Sequence, residues 1–263
     1  HMYWSEKEDC QNLNIWTPSI RDGRKRPVMV WLHGGGFSAG SSIEQLAYDG
    51  ENLSRAGDVV VVSVNHRLNV LGYLDLSPFG EKYQDSANAG NLDLIAALEW
   101  IRDNIEGFGG DPENVTLFGQ SGGGVKVWSL LQMPEADGLF HKGIIESGVV
   151  DPDLLGDIED GNGREIVKAM LAELGLEEKD VDQLETLPYD QLAQAYENAA
   201  PKVAQKGEYV GNHPHKNQSY FGDAIKHGFR EETKKIPLLI GTVLGEFDFG
   251  PAISGKYEFT RKE

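Results

Sequence analysis

Gly119-Gln120-Ser121-Gly122-Gly123 stands directly after the strand-like run Val115–Phe118 and before the helical run Val125–Leu131. A serine between small residues in that context makes a nucleophile elbow. The turn is sharp, the hydroxyl stands above the sheet edge, and the flanking glycines let strand and helix approach. The N-terminus of the following helix favours negative charge developing on a substrate. The spacing by itself also fits a Gly-rich turn; the strand–turn–helix setting is what points to nucleophilic chemistry at Ser121.

A second group, His33-Gly34-Gly35-Gly36-Phe37, follows the first long strand. Consecutive glycines let backbone N–H groups turn into a cavity unobstructed, which is what an oxyanion hole needs when a carbonyl oxygen gains charge. Taken alone, the glycines also fit a flexible turn or a phosphate loop. No lysine follows at the Walker spacing and the pattern is not G-x-G-x-x-G, so nucleotide binding is disfavoured. His33 reads as a residue that packs or hydrogen-bonds locally, not as a base. No Cys pair, no HExxH and no Asp/Glu/His metal spacing occurs, so neither a metal nor an organic cofactor is expected.

The elements that must position these residues alternate. Val28–Leu32 and Val59–Val64 are apolar, β-branched runs too short for helices, with Val115–Phe118 and Ile144–Glu146 weaker ones. Runs of this kind read as buried parallel strands. Asn91–Ile105 has helical spacing, with Leu94, Ala97, Leu98, Ile101 and Ile105 on one face; Asn91 is placed to cap it and Asp93 to complement its dipole. Strands separated by such helices imply right-handed crossovers and a mostly parallel sheet with helices on both faces, an α/β fold. Trp31, Trp100 and Trp128 are expected in the core.

The chain has 263 residues, enough to bury a sizeable core, with a formal net charge of -18. That excess of negative charge disfavours nucleic acid and anionic membranes as partners. No apolar run approaches the length of a bilayer span. The acids gather between Asp151 and Ala200, fourteen against three bases, in a stretch that keeps helical stripes: Ile166, Met170, Leu171, Leu174, then Leu192, Ala195, Tyr196. This reads as a helical excursion with a solvated acidic face. Three regions are expected: a core over 1–150, the excursion and an irregular loop over 151–235, and a return to the sheet over 236–263 through Pro237–Ile240. The loop from His213 to Tyr220 is a candidate border of the site entrance. A lone Cys10, and an opening His1-Met2 with no signal-peptide pattern after it, suggest a cytoplasmic setting.

Several phrases together resemble one family. They are Glu8–Trp16, Pro27–Phe37, Val61–Leu68 with Asn65-His66-Arg67, the stretch from Asn88 through Gly124, and Leu139–Gly148. The chain is similar to the type-B carboxylesterases, the cholinesterase-like branch of the α/β-hydrolase fold. The hormone-sensitive-lipase branch shares the two glycine motifs but lacks the first and last of these phrases. The resemblance implies a serine carboxylic-ester hydrolase acting on a small-molecule ester, with Ser121 as nucleophile. The amides of Gly35, Gly36 and Gly122 would form the oxyanion hole, Gly122 standing where the family usually has alanine. Gly241-Thr242-Val243-Leu244-Gly245-Glu246-Phe247 matches the phrase that carries the family's acid, which makes Glu246 the matching carboxylate. Gln120 replaces a customary glutamate and removes a charge next to the site.

In this fold the triad order is serine, acid, histidine. All seven histidines, His1, His33, His66, His141, His213, His215 and His227, precede Glu246. The resemblance therefore implies an internal portion of a longer member, incomplete relative to the family, with the base outside these 263 residues. That base would sit on a second chain or further segment, or have been lost by trimming; recruitment of His213 or His215 is the other arrangement. On this reading the chain alone is inactive. A non-catalytic cholinesterase-like binding module is the alternative from another functional class.

Overall fold

The computed structural model describes residues 7–20, 22–151, 161–211, 213–244 and 246; most of the expected return over 236–263, including Gly245 and Phe247, and residues 152–160 of the acidic stretch lie outside the described residues. Six strands form one sheet: β1 (Asn12–Trp16), β2 (Arg26–Leu32), β3 (Val60–Asn65), β4 (Gly110–Gln120), β5 (Lys142–Glu146) and β6 (Leu238–Gly241). Their order is β1-β3-β2-β4-β5-β6. β1 runs antiparallel to β3, and the other four pairings are parallel. The central strands are parallel because each connection between them carries a helix, as the alternation of the sequence implied.

The helices in the first half are α1 (Glu51–Gly57), α2 (Asn69–Tyr73), α3 (Ala89–Asn104) and α4 (Gly122–Leu130). Val30, Val62 and Leu117 face Leu94, Leu98 and Ile101 of α3 in one core. The opposite face of β3 meets the chain entering α1, where Val61 and Trp16 close on Gly50. Both faces of the sheet are thus covered, and β3 is buried along almost its whole length. That is why its sequence shows no alternation of apolar and polar residues. Two helices further on, α5 (Arg164–Glu173) and α6 (Tyr189–Ala204), build a second apolar cluster around Ile166, Met170, Leu171 and Leu192. Leu74 and Tyr83 from the first half complete it. Among the described residues no helix is long and apolar enough to cross a membrane.

Three expectations change. α3 starts at Ala89, not Asn91; Asn91 lies buried inside it, accepting from Tyr73 Oη at 3.0 Å and donating to Ser129 Oγ at 2.9 Å. Asp93 does not serve the helix dipole. Its carboxylate accepts from the Arg67 backbone amide at 2.9 Å, from Arg67 Nε at 2.9 Å and Nη2 at 2.7 Å, and from Gln11 Nε2 at 2.6 Å. Trp31 and Trp128 are buried, but Trp100 is 38% exposed. It lies off the α3 stripe made by Leu94, Leu98 and Ile101, and rests against Phe108 on the outer surface.

The Arg67–Asp93 pair ties the exit of β3 to the first turns of α3, and Asp93 is nearly buried. Removing one partner strands the other, a loss of 3–5 kcal/mol when both are buried. Arg67 is more than a third exposed, so Asp93→Ala is expected to cost about 2–3 kcal/mol, read by urea unfolding. A change below about 0.5 kcal/mol would show that solvent replaces the carboxylate.

Candidate active site

β4 ends at Gln120 and α4 begins at Gly122, so the whole reversal is made by Ser121, at φ 54° and ψ -126°. Positive φ is costly for a residue with a Cβ and persists only where the surroundings enforce it. Here the Ser121 amide donates to the Glu146 carbonyl at 2.8 Å, and the Ser121 carbonyl accepts from Val125 N at 3.0 Å. The glycines around it are required by contact. A Cβ on Gly123 would stand 2.0 Å from the Leu32 carbonyl oxygen, and one on Gly119 would stand 2.5 Å from the Gly123 carbonyl carbon. Strand, helix and neighbouring loop meet backbone to backbone.

The loop leaving β2 supplies the facing wall. Gly35 and Gly36 adopt φ 89° and 62°. The Gly35 carbonyl accepts from Ser38 N and Ala39 N, while neither the Gly35 nor the Gly36 amide donates to a backbone acceptor among the described residues. Gly122 is the first residue of α4, and its N–H has no acceptor within the helix. A Cβ on Gly122 would come within 2.3 Å of the Gly36 amide nitrogen. Three uncommitted N–H groups therefore lie on two backbone segments in contact beside Ser121, an arrangement able to receive an oxyanion. His33, before them, is buried, with Nδ1 2.8 Å from the Gly34 carbonyl oxygen and its ring stacked on His66 at 5.4 Å. Burial and the nearby Lys126 push its imidazole down to about 3, so it stays neutral.

Ser121, Gly36 and Gly122 open onto a cavity of about 400 Å³, whose apolar wall includes Phe37, Val125 and Trp128. Gly35 and Gln120 are outside that wall; Gln120 is exposed at the end of β4, paired in register with Glu146. The 213–220 loop contributes His213, Pro214, His215, Lys216 and Tyr220 to the rim. Asn88 fixes the His215 backbone with two hydrogen bonds, at 2.8 and 3.1 Å, and Tyr209 packs on both His213 and His215. His213 Nδ1 lies 3.1 Å from the Pro214 carbonyl oxygen. None of the hydrogen bonds among the described residues joins a histidine to the Ser121 hydroxyl. No group of three or more His, Cys, Asp or Glu among the described residues could hold a metal ion.

Glu246 follows β6 and is exposed. Its carboxylate accepts from Val243 N at 3.0 Å, and the neighbouring Ser147 hydroxyl together with that amide holds it below the usual glutamate range. Ser147 itself is strained at φ 51°, donates its amide to the Gly241 carbonyl at 2.7 Å, and lines the same cavity as Ser121. Ser147 thus connects the candidate acid to the cavity of the candidate nucleophile. In the sequence it carries no signal beyond standing inside the phrase Glu146-Ser147-Gly148. A second residue passed over is Lys126, completely buried on α4, whose ammonium donates to the His33 carbonyl at 2.9 Å. Its signal was a lysine inside an otherwise apolar helical run.

A model of the carboxylesterase family matches residues 2–260. The para-nitrobenzyl esterase of Bacillus subtilis is 39% identical over 251 residues, covering 92% of this chain and 48% of that protein. Carboxylesterase 3B of Mus musculus is 48% identical over 153 residues, covering 58% of this chain and 26% of that protein. Among solved structures, an esterase from anaerobic Clostridium hathewayi, described as able to hydrolyse aliphatic aromatic polyesters, superposes with a TM-score of 0.92. It is 56% identical and is matched over 100% of this chain and 52% of its own. The chain spans about half the length of the bacterial relatives it matches.

Two outcomes test this geometry. Gly122→Ala must push the 35–36 loop away, because its Cβ meets backbone rather than a flexible side chain. Labelling of Ser121 by a fluorophosphonate is expected to slow about tenfold or more, since displacements near 1 Å cost up to ~100-fold. Unchanged labelling would show that the close approach is not needed. Ser147→Ala removes the hydroxyl that favours the ionised Glu246, so its carboxyl should titrate at higher pH in an NMR titration. An unmoved titration would dissociate Ser147 from Glu246.

Proposed function

Because this chain belongs to the carboxylesterase family and has the α/β-hydrolase fold, we propose that it carries the nucleophile, oxyanion hole and acid of a serine carboxylic-ester hydrolase. The observation that supports this most is the strained Ser121, set against uncommitted backbone amides at the mouth of a cavity. A hydroxyl held at that cost, clear of hydrogen bonds to the described histidines, is disposed to attack a carbonyl carbon that approaches from the cavity side.

In the proposed reaction the Ser121 oxygen bonds to the ester carbonyl carbon and its proton passes to a histidine. The carbonyl oxygen, now negative, is received by the amides of Gly35, Gly36 and Gly122. Donors fixed in advance need no reorganisation as charge develops, and losing one such donor costs roughly 100- to 1,000-fold in turnover. Collapse of the intermediate expels the alcohol, which takes the proton from the imidazolium and leaves an acyl group on Ser121. Water, deprotonated by the same histidine, then attacks the acyl carbon; the bond to the Ser121 oxygen breaks, that oxygen takes the proton back from the imidazolium, and the acid is released. Glu246 orients the imidazole and stabilises its charged form. The histidine lies outside these 263 residues, on a further segment or a second chain, in agreement with the serine–acid–histidine order and with the half-length match to relatives.

The apolar wall of Phe37, Val125 and Trp128 suits an ester with one apolar or aromatic arm. The similarity to an esterase described as acting on aliphatic aromatic polyesters agrees with that preference. The test is hydrolysis of a p-nitrophenyl ester by the complete protein and by this chain alone. The complete protein should turn it over, Ser121→Ala should abolish turnover, and the 263-residue chain should retain only about a millionth of it, as when a triad base is removed. Strong hydrolysis by the chain alone, abolished by Ser121→Ala, would contradict the external base and identify a local one. A complete protein that neither hydrolyses esters nor reacts with a fluorophosphonate at Ser121 would be a binding module instead.

A further inference from the structure

Lys126 is the most anomalous buried group in the molecule. Its side chain is 0% exposed on α4, and its one hydrogen-bond partner among the described residues is the His33 carbonyl. Among the described residues no carboxylate pairs with it; the titratable groups beside it are His33 and His66, both imidazoles kept neutral by their burial. Taking an ammonium from water for a single hydrogen bond opposes folding, and an apolar side chain of the same length would serve the core better. Burial alone pushes its ammonium down to about 7. Stability does not account for a lysine here.

Its position does. Lys126 lies four residues after Gly122, on the same face of α4. That face presses the 33–36 loop: Gly122 closes on Gly36 and Gly123 on Leu32 and His33. The carbonyl that Lys126 holds belongs to the last residue before Gly34, where the chain leaves β2. The far side of the loop is held separately, by Ala39 N donating to the Gly35 carbonyl and Asn69 N donating to the Phe37 carbonyl. Among the hydrogen bonds of the described residues, the near side without Lys126 keeps the contact of His33 Nδ1 with the Gly34 carbonyl.

We propose that Lys126 is a positioning residue for ester hydrolysis, fixing through the His33 carbonyl the point from which Gly34–Gly36 leave the sheet and so setting the loop amides against the amide of Gly122. The inference rests on the serine-esterase reading above. In its protonated form Lys126 also adds positive potential behind the place where the oxyanion forms.

Lys126→Met in the complete protein tests this, with turnover counted per serine titrated by a fluorophosphonate so that misfolded molecules do not enter the rate. The expected result is a kcat lower by about ten- to a hundredfold, the scale of a misplaced hydrogen-bond donor. KM should stay within about threefold, because the loop amides act mainly on the transition state. The thermal midpoint should be unchanged or raised, since methionine keeps the volume without the buried charge. A kcat within about twofold of the parent overturns the proposal. So does a variant that loses stability together with turnover, or does not fold, which would make Lys126 a structural residue. The parent and Ser121→Ala are measured alongside. If the parent shows no Ser121-dependent hydrolysis, the esterase reading itself fails and takes this inference with it.

Discussion

The site depends on one steric constraint: the turn from β4 into α4 and the loop leaving β2 touch through backbone atoms alone. The prospective Cβ atoms of Gly119, Gly122 and Gly123 would all fall between 2.0 and 2.5 Å from main-chain atoms. In this backbone a side chain at Gly119 or Gly123 would part the turn from the loop, and one at Gly122 would require the loop at Gly36 to shift. The strand order makes the contact available, because β2 and β4 are parallel neighbours and their C-terminal ends deliver both loops to the same edge of the sheet. A sheet buried on both faces then gives the stiffness needed to hold Ser121, and Ser147 on the next strand, at positive φ.

Charge is arranged around that contact in an unexpected way. The net excess of acids says little about the site, since fourteen of them lie between Asp151 and Ala200, in a stretch whose described helices pack into a separate apolar cluster. Behind the loop of Gly34–Gly36 sit basic residues, Lys126 with the neutral imidazoles of His33 and His66. At the other side of the cavity Ser147 and the Val243 amide stabilise a carboxylate, Glu246. Under the proposed reaction, a protonatable lysine on one side and a stabilised carboxylate on the other suit the charges an acyl transfer develops, negative on the carbonyl oxygen and positive on a protonated imidazole.

Much of this was legible in the sequence because it is local. Ser121 and the glycines at 34–36 declare themselves through spacing next to apolar runs, and the buried strands through their β-branched composition. What depends on tertiary partners was misread or missed. Asn91 and Asp93 carry the chemistry of helix caps, but Tyr73, Ser129 and Arg67, from distant segments, claim their side chains. The half-buried edge strand β1 lacks the apolar density that marks the central strands. Trp100 shows that an aromatic on a core helix is not thereby in the core, since position around the helix decides it. Lys126 and Ser147 were invisible for the complementary reason: a lysine is read as surface and a serine as neutral until the fold shows what surrounds them. Glu246 came only through resemblance, and nothing in its own neighbourhood of sequence distinguishes it from an ordinary loop glutamate.

The central claim, that Ser121 and the amides of Gly35, Gly36 and Gly122 form one acyl-transfer centre, is tested most directly by a crystal structure of the complete protein inactivated with an alkyl phosphonate. The adduct mimics the tetrahedral intermediate. It is expected on Ser121 Oγ, with its phosphoryl oxygen about 2.7–3.1 Å from those amide nitrogens. An adduct on another residue, or a phosphoryl oxygen turned away from the glycines, would contradict the account.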